Sequence, residues 1–235
     1  MFRNVSCRGL LRRGSCKPRC ERSRCSSSWC VGWHNAPTPR MAASSRPRLL
    51  AGKSVLIFCD FAFEDMELMY PKIRLEEEGA TVVVVGSHEK GTKYTGKHGY
   101  PIKSDLSVAE IDHASFDALV LPGGFAPDYM RRSPRMLEIT VAMADAGKPV
   151  ASICHGPWML CSARRGDGSP LAKGIRATCF VAIKDDLINA GATFVDAPVV
   201  VDGPIITSRT PADLTPFVHA IIDQMAVGAS PAALA

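Results

Sequence analysis

From Lys53 onward, short apolar runs alternate with segments of helical period, and this alternation restricts the chain to a sheet whose strands are joined by crossover helices. The runs cover residues 54–59, 81–85, 118–121 and 149–153, with a β-rich stretch over 194–207. Runs that are apolar throughout belong to strands covered on both faces, which is the condition of a parallel sheet. Residues 67–78, 134–146, 155–163 and 183–189 read as helices between them, and 211–226 as a closing helix. Pro71 predicts a kink or a new first turn in the first helix. Gly79, Gly147 and Gly191 each follow a helix and precede an extended run, as C-terminal glycine stops do. Asp202-Gly203 reads as a hairpin turn, and the Gly-rich polar stretch 91–103 as loops or a small hairpin.

The expectation is an α/β domain over 52–226, with a leader at 1–51 and a tail at 227–235. A chain of this size buries roughly 70% of its unfolded surface, so stability does not explain its nine cysteines. Charge divides along the same boundary. Residues 1–51 hold eleven Lys and Arg against one acid, Glu21, and the remainder holds seventeen basic and twenty-two acidic residues. An acidic folded part argues against nucleic acid as a partner, because phosphate calls for basic residues on the folded surface.

The leader is rich in Ser and Arg, poor in acid, and has no apolar run long enough for a secretory signal or a membrane span. That composition resembles an organellar transit peptide, which places the protein in a chloroplast or mitochondrion if residues 1–40 are removed, and otherwise in the cytoplasm. Two other readings stand beside it: a working start at Met41, or a solvated basic arm. The leader cysteines at 7, 16, 20, 25 and 30 lack paired Cys-x2-Cys spacing, so no metal site is expected of them.

In an open α/β sheet, ligands bind beyond the carboxyl ends of the strands. Three strand-end turns here carry chemistry. Ala151-Ser-Ile-Cys-His-Gly-Pro157 closes a strand and opens a helix, the arrangement of a nucleophile elbow, so Cys154 is the expected nucleophile with His155 beside it. The helix start is expected to favour its thiolate. In Phe61-Ala-Phe-Glu-Asp-Met-Glu67, the carboxyl between two phenylalanines, Glu64, is the expected proton donor or shuttle, its pKa raised by desolvation. Asp65 and Glu67 read as solvated or helix-capping residues. In Leu121-Pro-Gly-Gly-Phe-Ala-Pro-Asp128, Gly123 and Gly124 free backbone N–H groups to face a developing oxyanion. Cys59, Cys161 and Cys179 read as small core residues, and His88, His98, His113 and His219 as surface or loop residues.

Together these motifs resemble the PfpI family, within the class I glutamine-amidotransferase-like superfamily. The likeness runs from about Lys53 to Asp223 and includes Phe63-Glu-Asp-Met-Glu-Leu68 with Tyr70-Pro71, Thr95-Gly-Lys-His-Gly-Tyr100, Ile183-Lys-Asp-Asp186 with Asn189-Ala-Gly191, and Thr207-Ser-Arg-Thr-Pro211. The resemblance implies a flavodoxin-like doubly wound sandwich, a homo-oligomer (dimer, trimer or hexamer), and a Cys nucleophile contacted by a Glu, here Cys154 and Glu64. In peptidase-like members a neighbouring subunit supplies an acid to the histidine; by alignment that acid is Asp128, where an archetypal member has Glu.

The activities the resemblance implies share thiolate addition to a carbonyl. The favoured expectation is a cofactor-free and metal-free enzyme that converts methylglyoxal or glyoxal to lactate or glycolate, as a glyoxalase or deglycase does. The alternatives are a cysteine peptidase using Cys154, His155 and Asp128, and a redox sensor or stress chaperone in which Cys154 is oxidised. The partner is accordingly a small reactive carbonyl, or a peptide, with no nucleic acid or membrane.

Overall fold

The computed structural model describes residues 48–226; the five leader cysteines and the tail lie outside the described residues. In chain order the first half runs β1 (Ser54–Cys59), α1 (Asp65–Glu77), β2 (Thr81–Gly86), β3 (Lys93–Thr95), β4 (Pro101–Lys103), β5 (Leu106–Ser107), β6 (Ala118–Leu121) and α2 (Ala126–Met130). The second half runs α3 (Pro134–Asp145), β7 (Val150–Ile153), α4 (Trp158–Ser162), β8 (Arg176–Ala177), α5 (Lys184–Asn189), β9 (Thr193–Phe194), β10 (Val199–Asp202), β11 (Ile205–Ser208) and α6 (Leu214–Ala226).

Seven strands form the main sheet in the order β10-β11-β7-β6-β1-β2-β5. Every neighbouring pair is parallel except β10 with β11, a hairpin turned by Gly203-Pro204, one residue beyond the expected Asp202-Gly203 because Asp202 still pairs with Ile205. Apolar residues on both sides of each strand are needed because each side meets its own helical layer. In β1, Leu56 and Phe58 join the core that includes Met136, Ile139 and Met143 of α3 and Met159 and Leu160 of α4. Val55, Ile57 and Cys59 join the opposite core, with Leu68 and Leu75 of α1 and Phe217, Ile221 and Ile222 of α6. Each such side chain contributes roughly 1.5–3 kcal/mol by leaving water. Cys59, Cys161 and Cys179 are buried within these two cores, in keeping with a packing role.

Several local expectations shift. α1 runs through Pro71 and no new helix begins there. The expected helix over 155–163 shortens to Trp158–Ser162, because residues 154–157 are spent on the turn out of β7. The stretch 91–103 is the small hairpin of β3 and β4, joined antiparallel. α2, a five-residue helix inside the expected Pro-Gly-Gly turn, has too few residues to show a period.

β1 lies between β6 and β2, so the chain leaves it in both directions across the sheet; the crevice at this reversal is where the strand-end turns of β1, β6 and β7 meet. Gly156 makes the close approach possible. A Cβ there would lie 2.4 Å from the Leu121 carbonyl oxygen and 2.8 Å from that of Ile153, and backbone cannot yield. Gly156→Ala is therefore expected to lower unfolding free energy by roughly 2–3 kcal/mol, whereas Gly166→Ala, in open space, should stay within about 0.5 kcal/mol of the parent. Denaturant midpoints of the two variants, measured side by side, check the difference.

Candidate active site

Cys154 closes the turn out of β7 with a backbone φ of 61°, in the left-handed region that a residue with a Cβ enters at a cost of about 1–3 kcal/mol. Two backbone hydrogen bonds hold it there. Its N–H donates to the Ser208 carbonyl at the end of β11, and its own carbonyl accepts from the Phe180 N–H. The sulfur lies 3.2 Å from His155 Nδ1, so the adjacent histidine does face the thiol. The His155 ring is stacked on Phe180, with centroids 5.1 Å apart, and meets Trp158 edge-on.

The carboxyl beside the sulfur is that of Glu67, not Glu64. Glu67 is fully buried, and its Oε2 accepts the Gly123 N–H at 2.8 Å. Burial first, and the charge of Glu64 further, push its pKa up to about 8, against the pull of the Gly123 N–H and of the Cys154 thiol hydrogen-bonded to it. At neutral pH it is therefore predominantly a neutral acid. Its second oxygen, Oε1, is buried and has no partner of good hydrogen-bond geometry among the described residues. The reading of Glu67 as solvated or capping fails because α1 turns its first turn inward. Glu67 holds the third helical position, where a glutamate ordinarily reaches back to its own N-cap, and here it reaches across to Gly123 instead.

Glu64, the residue before α1, is also buried, but its carboxylate faces the other way, 2.5 Å from Lys97 Nζ and 3.5 Å from His98 Nε2. His98 is an exposed loop residue as expected, yet belongs to the rim of the site. Asp65 fixes that rim. It is buried, and its two oxygens accept the N–H groups of His98 and Tyr100 at 2.9 and 2.8 Å, which pins the turn between β3 and β4. Gly96 is required there, since a Cβ would come within 2.5 Å of the Asp65 carboxylate. This accounts for the Thr95–Tyr100 motif.

The two glycines also divide differently from expectation. The Gly123 N–H is committed to Glu67, whereas the N–H groups of Gly124 and His155 point at the Cys154 sulfur. The thiol is pushed up to about 12, by burial first and then by the Glu67 charge, and these two N–H groups offset only part of that rise. The expected thiolate preference is thus reversed. The physical reason is that α4 starts four residues beyond Cys154 and is only five residues long, too far and too short for its dipole to outweigh burial. The pKa of His155 is lowered by burial and then by the Lys97 charge, so its ring is neutral and able to accept a proton. Asp128, in α2, is ion-paired with Arg132 one turn along. Among the described residues no group of three or more His, Cys, Asp or Glu could hold a metal ion, and no helix is long and apolar enough to cross a membrane.

An α/β sheet with a left-handed cysteine at a strand end, backed by a buried glutamic acid from the first helix, defines a protein of the flavodoxin-like cysteine-elbow class. Residues 53–224 match the DJ-1/PfpI family, and the chain belongs to that family. It is 51% identical over 160 residues to a deglycase of Thermococcus kodakarensis, an alignment covering 68% of this chain and 92% of that protein. It is 42% identical over 165 residues to YraA of Bacillus subtilis, named as a candidate cysteine protease, covering 70% of this chain and 94% of that one. The crystal structure of Drosophila melanogaster DJ-1beta superposes with a TM-score of 0.67 at 30% identity, covering 74% of this chain and 90% of that one.

Two measurements follow from the electrostatics. A folded-state pKa of about 8 against the ordinary 4.5 means that the stabilisation from protonated Glu67 is complete below pH 4.5 and is lost as pH rises through 8. Unfolding free energy of the parent should fall between pH 5 and 9 by about 3 kcal/mol or more, and Glu67→Gln should flatten that decline. Lys97 is the cation that acts on both Cys154 and Glu67. Lys97→Met should slow iodoacetamide alkylation of Cys154 by roughly fivefold near neutral pH and move its pH profile upward, with Lys97→Arg restoring it.

Proposed function

We propose that this protein converts α-oxoaldehydes, free or carried as adducts on amines, to α-hydroxy acids without a cofactor. The observation that carries this reading is the neutral, fully buried Glu67 against the Cys154 thiol, with neutral His155 on its other side. Deglycase relatives at about half identity support the coarser statement that this is a DJ-1/PfpI-type enzyme.

The chemistry follows from which groups hold protons. Attack on the aldehyde carbon of methylglyoxal forms a C–S bond while the thiol proton passes to His155 Nδ1 and Glu67 gives its proton to the aldehyde oxygen. The product is a hemithioacetal. Glu67, now a carboxylate, removes the proton from that carbon as protonated His155 gives its proton to the neighbouring carbonyl oxygen, forming an enediol; Glu67 then returns its proton to the neighbouring carbon as the first hydroxyl passes its proton back to His155. The first carbon is thereby oxidised to a thioester and the second reduced to an alcohol, with no external oxidant. Water then cleaves the thioester; His155 returns its proton to the departing thiolate, and lactate leaves as the new carboxylic acid gives its proton to Glu67. With an amine adduct, the C–S bond forms as the C–N bond breaks, and His155 hands the thiol proton to the departing amine. This moves the shuttle role from Glu64 to Glu67. The N–H groups of Gly124 and His155, directed at the sulfur, support the thiolate during attack.

A peptidase needs an acid to orient His155. Asp128 is held by Arg132 in this subunit, so that reading requires the acid from a second copy, whereas the route through Cys154 and Glu67 is complete in one. Lactate release from methylglyoxal without glutathione tests the proposal. Cys154→Ala should abolish it, and Glu67→Gln, unable to give a proton, should lower kcat at least about a hundredfold. Glu64→Gln should fall much less. Cys154-dependent cleavage of a fluorogenic peptide with no lactate formed would sink the proposal.

A further inference from the structure

Past the ends of β1 and β2, on the same sheet edge as the elbow, lies a cavity of about 320 Å³ lined by Asp60, Ser87, His88, Tyr129, Arg132 and Ser133. Small-molecule pockets span roughly 300–1,000 Å³, so this one suits a single substituted ring. Cys154, His155 and Glu67 do not line it, and the reaction above makes no use of it. Every lining side chain carries a hydrogen-bonding group and none is aliphatic. An apolar ligand would strip water from these groups and replace none of its hydrogen bonds.

The polar groups are already fixed in place. Asp60 is 1% exposed; its Oδ1 accepts the Phe61 N–H at 2.8 Å and its Oδ2 accepts the Ser87 hydroxyl. Ser87 Oγ and the Tyr94 hydroxyl lie 3.0 and 3.2 Å from His88 Nδ1, and Tyr94 also accepts the His88 N–H at 3.0 Å. Nε2 is therefore the His88 ring nitrogen left for a ligand. No cation is paired with Asp60 among the described residues, and its carboxyl has about four acceptor positions for the two donors it receives. Arg132 is the donor of the same cavity. It is paired with Asp128, and its guanidinium lies over the Tyr129 ring at 5.0 Å, which leaves further N–H groups for a ligand.

This division of donors and acceptors decides the class of ligand. A cation would be drawn to Asp60 and repelled by Arg132, and an anion the reverse. A neutral molecule with several hydroxyls satisfies both, because each hydroxyl gives one hydrogen bond and accepts others. Phe61 and Tyr129, 38% and 36% exposed with ring centroids 6.3 Å apart, add an aromatic flank for the C–H groups of such a molecule. Beyond Ser87 and His88 the polar lining continues into a second opening with Glu89, Thr92 and Ser107.

We propose that this cavity binds a neutral sugar in its pyranose form, with hydroxyls that give to Asp60 and accept from Arg132 and with ring C–H groups against Phe61 and Tyr129. The site is separate from Cys154 and does not rest on the reaction proposed above.

Isothermal titration of the full chain with methyl α-D-glucopyranoside tests this, since that glycoside has no free aldehyde for Cys154 to attack. Its uronate and 2-amino counterparts supply the anion and the cation. The neutral glycoside should bind at least about fivefold more tightly than either. Asp60→Asn, and Tyr129→Ala on the exposed rim, should each weaken binding roughly tenfold, while Cys154→Ala should bind as the parent does. The site is overturned if the parent does not bind the neutral glycoside or binds it no tighter than a charged counterpart. Undiminished binding in folded Asp60→Asn and Tyr129→Ala, or loss of binding in Cys154→Ala, has the same consequence. Lactate release bears on the reaction alone: its absence alongside normal glycoside binding would refute the reaction and leave the sugar site standing.

Discussion

A single buried hydrogen bond, from the Gly123 N–H to the Glu67 carboxyl, ties the start of α1 to the turn after β6, and the turn after β7 packs against both. Burying an ionised carboxylate is costly, and one neutral backbone donor does not repay it. The bond is therefore made by a carboxyl that keeps its proton at neutral pH, as the pKa near 8 expresses. Close packing enforces the arrangement. A Cβ on residue 123 would meet Glu67 Oε2 at 2.7 Å, the Cys154 Cβ at 2.8 Å and the His155 nitrogen at 2.9 Å, so only glycine lets the three turns converge.

Two glutamates three residues apart thus do opposite work. Glu64 pairs with Lys97 at the rim, a turn that Asp65 holds in place. Glu67 is enclosed and keeps its proton at neutral pH. Because Glu64 raises the pKa of Glu67 while Lys97 lowers it, the rim pair sets how firmly the inner acid keeps its proton. Burial first, and then the same Lys97 charge, lower the pKa of His155 and favour its neutral ring. One exposed lysine so acts on Glu67 and His155 together, through ordinary Coulomb interaction at a partly desolvated edge.

The aromatic contacts around His155 give the site its sidedness. Phe180 and Trp158 enclose the ring on two faces, and Nδ1 is the nitrogen turned to the thiol. Beyond Phe180 lies the cavity that Lys184 and Arg209 also line. The Thr207–Pro211 motif acquires a meaning from this: the Ser208 carbonyl accepts the Cys154 N–H and Arg209 lines the adjoining cavity.

The parallel sheet, its strand positions, the hairpin of β10 and β11 and the elbow at Cys154 were legible in the sequence, because apolar runs and glycine stops are local signals that report burial and turn geometry directly. The three converging turns were legible for the same reason, as strand ends. Which glutamate faces the sulfur was not. Glu64 and Glu67 share one short helical start, and a flanking phenylalanine is a weaker guide than the direction in which the first turn enters the core. The thiol's raised pKa was equally hidden, since helix length and depth of burial are properties of the packed chain. Gly123 read as an oxyanion donor until packing committed its N–H to Glu67, and α2 has too few residues to show a period. Local sequence determined the elements and the inventory of reactive groups; tertiary packing alone decided which of those groups are desolvated, which hold protons and which face one another, because desolvation and Coulomb energies depend on neighbours brought together from distant parts of the chain.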